Sequence, residues 1–175
     1  MTGVQTCALP IFYFHPSLPH AKVTEIYYQD YAKDFPLVVR PAWGYTVETA
    51  TQAIRLVLSG VFDAHPNLKV ILGHFGETLP FLLWRIDSSL KRPGQKAMSF
   101  RDIFCKNFYV TTSGSFSQSA LACTMVELGV ERILFAIDWP FNSNIEGVEF
   151  VKNAPIKPEE RSKIFADNAA SLLRI

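Results

Sequence analysis

Apolar positions along the chain follow two different periods. Four short, nearly continuous apolar runs, at residues 12–15, 69–73, 108–112 and 132–137, have the length and the β-branched and aromatic content of strands. The run Lys69-Val70-Ile71-Leu72-Gly73 is of the kind buried on both faces of a parallel sheet. Between the runs the spacing becomes helical. Over 47–63, Val47, Ala50, Ala53, Ile54, Val57, Leu58, Val61 and Phe62 predict a helix, with Thr46 as its N-cap and Pro66 as its stop. A second helix is expected from about Leu79 to Leu90, then a loop through Pro93 and Gly94 and a short helical turn near 99–104. Ser117 is placed to cap a helix running to Leu128, where Gly129 ends it. The last helix opens at Pro158-Glu159-Glu160 and carries Ile164, Phe165, Ala169, Leu172 and Leu173 on one face. Residues 16–45, rich in Pro and Tyr, fit neither period and are expected to form one long covering loop. Strand followed by helix, four times over, predicts parallel βα units and the α/β class.

Composition narrows the function classes. The 175 residues carry 17 Lys and Arg against 16 Asp and Glu, a net charge of +1. Such a balance lacks the clustered basic excess of a nucleic-acid or membrane-surface binder. No apolar run approaches the ~18 residues of a membrane span. Cys7, Cys105 and Cys123 stand in no metal or redox spacing, which suits a cytoplasmic protein. The opening string MTGVQTCALPI has no periodicity and no signal-peptide charge pattern. It is expected to be foreign, a translated sequencing-adapter read, leaving 12–175 as the native part.

Candidate chemistry gathers at the strand ends. His15, His74 and Asp138 each close an apolar run, and in parallel α/β folds the C-terminal strand ends share the ligand-binding face. Singly, each has an ordinary reading, as a hydrogen-bonded histidine or a turn-forming aspartate. Three in register point to one site, and imidazole with carboxylate suits a divalent metal such as zinc or manganese. Glu77, just past His74, is placed to orient its ring or carry protons; otherwise it is a first-turn acid. Arg85 is a candidate for an anionic substrate, or a partner for Asp87. His65 reads as a structural cation at a helix end, and His20 has no assignment.

The motifs Tyr-Phe-His-Pro (13–16), Gly-Val-Phe-Asp-Ala-His-Pro (60–66), Ile-Leu-Gly-His-Phe-Gly-Glu (71–77), Trp-Arg-Ile-Asp (84–87) and Ile-Leu-Phe-Ala-Ile-Asp-Trp-Pro-Phe (133–141) resemble the amidohydrolase superfamily. Within it the resemblance is to cofactor-independent aromatic acid decarboxylases of the gamma-resorcylate and 2,3-dihydroxybenzoate type. It implies a (β/α)8 TIM barrel, of which 12–175 would be the C-terminal half with strands five to eight. It implies that His15 and Asp138 are metal ligands, that Asp138 also carries the proton, and that His74, supported by Glu77, sits beside the metal. Arg85 is implied near the substrate, a small aromatic carboxylate. No organic cofactor is implied, and relatives of this type are commonly homo-oligomers. The strand-one Glu-x-His pair of that family has no counterpart in residues 1–12. Two alternatives stand beside the decarboxylase: a metal-dependent hydrolase of an amide, ester or lactone, and an inactive half-barrel with unpaired edges and a bare apolar interior.

Overall fold

Strands β1 (Ile11–Phe14), β2 (Lys69–Leu72), β3 (Phe108–Thr111) and β4 (Ile133–Leu134) form one parallel sheet in chain order. The structure, a computed structural model, describes residues 10–90 and 99–175. Register runs Phe12 opposite Val70, Val70 opposite Phe108 and Val110 opposite Ile133. Sequential parallel neighbours are the arrangement of a barrel wall, without the strand-order reversal of doubly wound sheets. The α-helices among the described residues are α1 (Ala21–Ala32), α2 (Gly44–Leu58), α3 (Val61–Ala64), α4 (Leu79–Ser89), α5 (Phe100–Asn107), α6 (Gln118–Leu128), α7 (Asn144–Lys152), α8 (Pro158–Ser162) and α9 (Asn168–Leu173).

Alternation along the strands creates two faces. Val70, Leu72, Phe108, Val110 and Ile133 point to the helical layer and are fully buried there with Ala53, Leu83, Phe104 and Ile164. Phe108 stacks on Phe104 with ring centroids 4.6 Å apart and meets Phe62 at 5.4 Å. Full burial of each such Val, Leu or Phe contributes roughly 1.5–3 kcal/mol. On the opposite face Ile71 and Leu134 lie under Leu172 of α9, bordered by Ile11, Tyr109 and Ala169. The bare interior expected for a half-barrel is therefore covered by α9 at this level, while Tyr13, on the same face, stays exposed.

Several expectations are corrected. The loop over 16–45 contains α1 and a 3-10 turn at Pro36–Val39. Helix α1 buries only Tyr28, so it has no apolar stripe to betray it, and its N-cap is His20, whose Nδ1 accepts from the Lys22 N–H at 3.2 Å. The fourth strand spans two ladder residues instead of six. Beyond Leu134, Thr112 Oγ1 bonds the Ala136 N–H and C=O at 3.1 and 2.7 Å, and the Phe135 N–H turns to the Ile164 carbonyl at 2.9 Å. That carbonyl lies in a π-helical segment (Lys163–Asp167) that interrupts the expected last helix between α8 and α9. Thr46 is not an N-cap: α2 begins at Gly44 after Trp43, and the Thr46 hydroxyl serves another element. Helix α7 adds an element to a stretch left unassigned; Ser143 caps it, and Glu146 three residues on was its signal. The expected loop through Pro93 and Gly94, and residues 1–9 of the opening string, lie outside the described residues.

Candidate active site

The turn after β2 is built on unusual backbone. His74, Phe75, Gly76 and Glu77 have φ of 52, 53, 73 and 60°, four successive left-handed residues of which only one is glycine. Asp138, after β4, is left-handed as well, at 76°. Each non-glycine residue there costs roughly 1–2 kcal/mol, so packing and hydrogen bonds must hold it. Phe75, 2% exposed, anchors the turn in the core. The Ser113 Oγ accepts from the His74 N–H at 3.3 Å, and that hydroxyl is itself paired with Thr111 Oγ1 at 2.7 Å. Asp138 is held by its carbonyl, which accepts from the Phe141 and Asn142 N–H groups.

This backbone brings three of the five candidate side chains together. Glu77 Oε1 lies 2.8 Å from His74 Nδ1, and His74 Nε2 lies 3.7 Å from Asp138 Oδ2, an ion-pair distance. Glu77 is nearly inaccessible at 2%, whereas His74 and Asp138 keep 25% and 29% of their side chains open. Burial works against a charged His74 ring. The Glu77 hydrogen bond and charge, with the Asp138 charge, outweigh it and hold the pKa above its ordinary 6.5. The outcome is a line of proton-carrying groups from a buried carboxylate to an accessible one.

His15 and Arg85 stand apart from this line. The His15 Nδ1 donates to the Pro16 carbonyl at 2.8 Å, which leaves Nε2 as the ring's free donor atom. Imidazole nitrogen from His15 and carboxylate oxygen from Asp138 fit a divalent ion in kind. In number they are two where catalytic sites carry three protein ligands. Among the described residues no group of three His, Cys, Asp or Glu is arranged to hold a metal. Arg85 is exposed on α4, where among the described residues its side chain makes no ion pair. Asp87, its alternative partner, accepts from the Arg101 N–H instead.

Three further residues complete the site. Thr46 Oγ1 donates to Glu77 Oε2 at 2.8 Å, and Asn142 Nδ2 donates to Asp138 Oδ2 at 3.1 Å. Gly114, at φ +61°, lies directly against the pair: a Cβ there would fall 2.7 Å from His74 Cδ2 and 3.0 Å from Asp138 Oδ2. In the sequence Ser113-Gly114 directly follows the apolar run 108–112, the place where a strand ends. Nothing in the pattern marked Thr46 or Asn142 as reaching an acid on another element.

A family model described as Amidohydrolase matches residues 9–175. The chain belongs to that family. Among its curated relatives, the gamma-resorcylate decarboxylase of Rhodococcus jostii (strain RHA1) is 39% identical over 171 residues, covering 94% of this chain and 50% of the relative. The chain thus spans about half the length of the curated relatives it matches. A solved 2,6-dihydroxybenzoate decarboxylase complexed with 2,6-dihydroxybenzoate superposes with a TM-score of 0.84 at 38% identity, over 94% of this chain and 51% of that one. A dihydroxybenzoic acid decarboxylase from Polaromonas sp. JS666, solved with bound manganese and the inhibitor 2-nitroresorcinol, gives 0.85 at 40% identity, over 94% and 49%. The amidohydrolase barrel fold expected from the motifs is thereby borne out, with four of its strands in this chain. Among the described residues no helix is long and apolar enough to cross a membrane.

Proposed function

We propose that this amidohydrolase chain carries part of the active site of a metal-dependent, non-oxidative decarboxylase acting on a hydroxybenzoate-type acid. The observation that supports it most is the Glu77–His74–Asp138 line, ending on an accessible carboxylate at the C-terminal end of the sheet. The similarity to gamma-resorcylate decarboxylases, and to relatives solved with manganese and aromatic ligands, supports the substrate class.

Asp138 carries the proton in this reading. It delivers it to the ring carbon that bears the carboxylate. The bond from that carbon to the carboxylate then breaks, carbon dioxide leaves, and the electron pair restores the aromatic ring. His74 Nε2 resupplies the proton to Asp138, and buried Glu77 stabilises the imidazolium before it gives the proton up. When bound, a divalent ion, manganese or zinc, would take His15 and Asp138 among its ligands and stabilise charge on the substrate oxygens. No organic cofactor is required, because the phenol ring itself takes up and returns the electron pair. Arg85 belongs to this reading as a cation for the substrate carboxylate. Free Cys105 and Cys123 suit a cytoplasmic location. Exposed Phe81 and Trp84 on α4 offer a surface for self-association into a homo-oligomer.

Carbon dioxide release from hydroxybenzoates, measured against hydrolysis of a lactone panel, separates the decarboxylase from the hydrolase. With two protein donors the chain alone is expected to turn over neither, so the assay uses a metal-loaded protein in which the remaining strands are supplied. Decarboxylation without lactone hydrolysis supports the reading, and hydrolysis alone replaces it. A folded, metal-loaded protein that does neither sinks both.

A further inference from the structure

We propose that Thr46 is a positioning residue that sets the tautomer and aim of the His74 ring by pinning the Glu77 carboxylate. The inference rests on the decarboxylase reading only for what the ring does next.

The Glu77 side chain is 2% exposed, and among the described residues its two oxygens have one side-chain partner each: Oε1 meets His74 Nδ1 at 2.8 Å, and Oε2 accepts from Thr46 Oγ1 at 2.8 Å. The terminal torsion of a glutamate is broad, so one contact alone leaves the carboxylate plane free to turn. Two contacts on opposite oxygens fix it. A fixed carboxylate accepts and cannot donate, so Nδ1 must carry the ring proton and the neutral ring presents an unprotonated Nε2 towards Asp138.

The placement of Thr46 is structural work by another element. A Cβ on Gly44 would collide with the Val39 carbonyl oxygen, so glycine at that position lets α2 begin against the 36–39 turn. Thr46, two residues on, then sits in the first turn of α2, where its hydroxyl makes no cap to its own helix. It is committed instead to an acid 31 residues away in sequence. Ser113, by contrast, holds the His74 backbone and leaves the ring untouched.

The test compares wild type, Thr46→Val and Thr46→Ser by nitrogen-15 NMR of His74 at alkaline pH, where the ring is neutral. Wild type and Thr46→Ser are expected to show the Nδ1–H tautomer, and Thr46→Val a mixture. In a decarboxylating protein containing this chain, Thr46→Val is expected to lower kcat by roughly ten- to a hundredfold with KM little changed, the range for residues that orient a site through another group. A folded Thr46→Val with the wild-type His74 spectrum overturns the proposal. Should Thr46→Val not fold, the wild-type Thr46 hydroxyl proton decides: protected from exchange it supports the proposal, and rapidly exchanging it overturns it. A tautomer change with no decarboxylation in any variant leaves the positioning role standing and removes the decarboxylase reading. An unchanged spectrum with full decarboxylation does the reverse.

Discussion

Gly114→Ala tests most sharply how the site is packed. The left-handed backbone at φ +61° costs an alanine roughly 1–2 kcal/mol whatever surrounds it. The new Cβ would also fall 2.7 Å from His74 Cδ2 and 3.0 Å from both His74 Nε2 and Asp138 Oδ2. Those distances lie well inside the ~3.5–4.0 Å of comfortable carbon contacts, so the ring or the carboxylate must move. Overpacking of this kind adds roughly 1–3 kcal/mol. The expected loss is therefore roughly 2–5 kcal/mol, which at a urea slope of ~2 kcal/mol per molar lowers the midpoint by about 1–2.5 M. Gly60→Ala supplies the control. Gly60 is left-handed too, at φ +80°, but its Cβ would meet only Asp63 Oδ2, at 3.6 Å. It is expected to lose only the backbone part, roughly 1–2 kcal/mol, and to leave the His74 ring resonances in place. Equal urea midpoints for the two variants, with His74 resonances unmoved in Gly114→Ala, would refute the packing argument.

Other perturbations probe separate parts of the account. In the metal-free chain, Asp138→Asn removes a carboxylate 3.7 Å from His74 Nε2, so an NMR titration should show the His74 pKa falling towards its ordinary 6.5; an unchanged value contradicts the coupling. Because the folded-state pKa is raised, the charged ring's contribution to stability is complete below 6.5 and is lost as pH rises through the raised value, which urea midpoints across that window will register. Thr49 Oγ1 is the one buried side-chain polar atom without a partner among the described residues. Thr49→Val is accordingly expected to leave stability unchanged or raise it by about 1 kcal/mol, and a loss of that size would reveal a hidden partner. Asn107, 2% exposed, donates to the Pro66 and Leu68 carbonyls at 3.1 and 2.8 Å, so Asn107→Leu should cost roughly 1–3 kcal/mol in urea unfolding.

What could be read from the chain, and what could not, divides along physical lines. Strands β2 and β3 were legible because both of their faces are apolar, and His74 and Asp138 stood out as polar residues closing such runs. Helix α1 was hidden because its stability does not rest on an apolar stripe: Tyr28 is its only buried residue, and histidine is not a usual N-cap. The shortness of β4 depends on a side chain, Thr112, taking over ladder hydrogen bonds, which no periodicity records. The site was half visible. Residue types suggested the His74–Glu77–Asp138 grouping, but His, Phe, Glu and Asp do not announce left-handed backbone, and it is that backbone which aims them. Thr46 was misleading, since a threonine just before a helical pattern reads as a cap until the Glu77 carboxylate is seen beside it.

The decarboxylation proposed for these strand ends is open to direct test. A chimera tests it most directly, with residues 12–175 replacing the matching half of the Rhodococcus jostii gamma-resorcylate decarboxylase. Loaded with manganese, it should release carbon dioxide from 2,6-dihydroxybenzoate, and Asp138→Asn in the same chimera should abolish that release. A folded, manganese-loaded chimera that releases none, or one whose activity survives Asp138→Asn, would contradict the account.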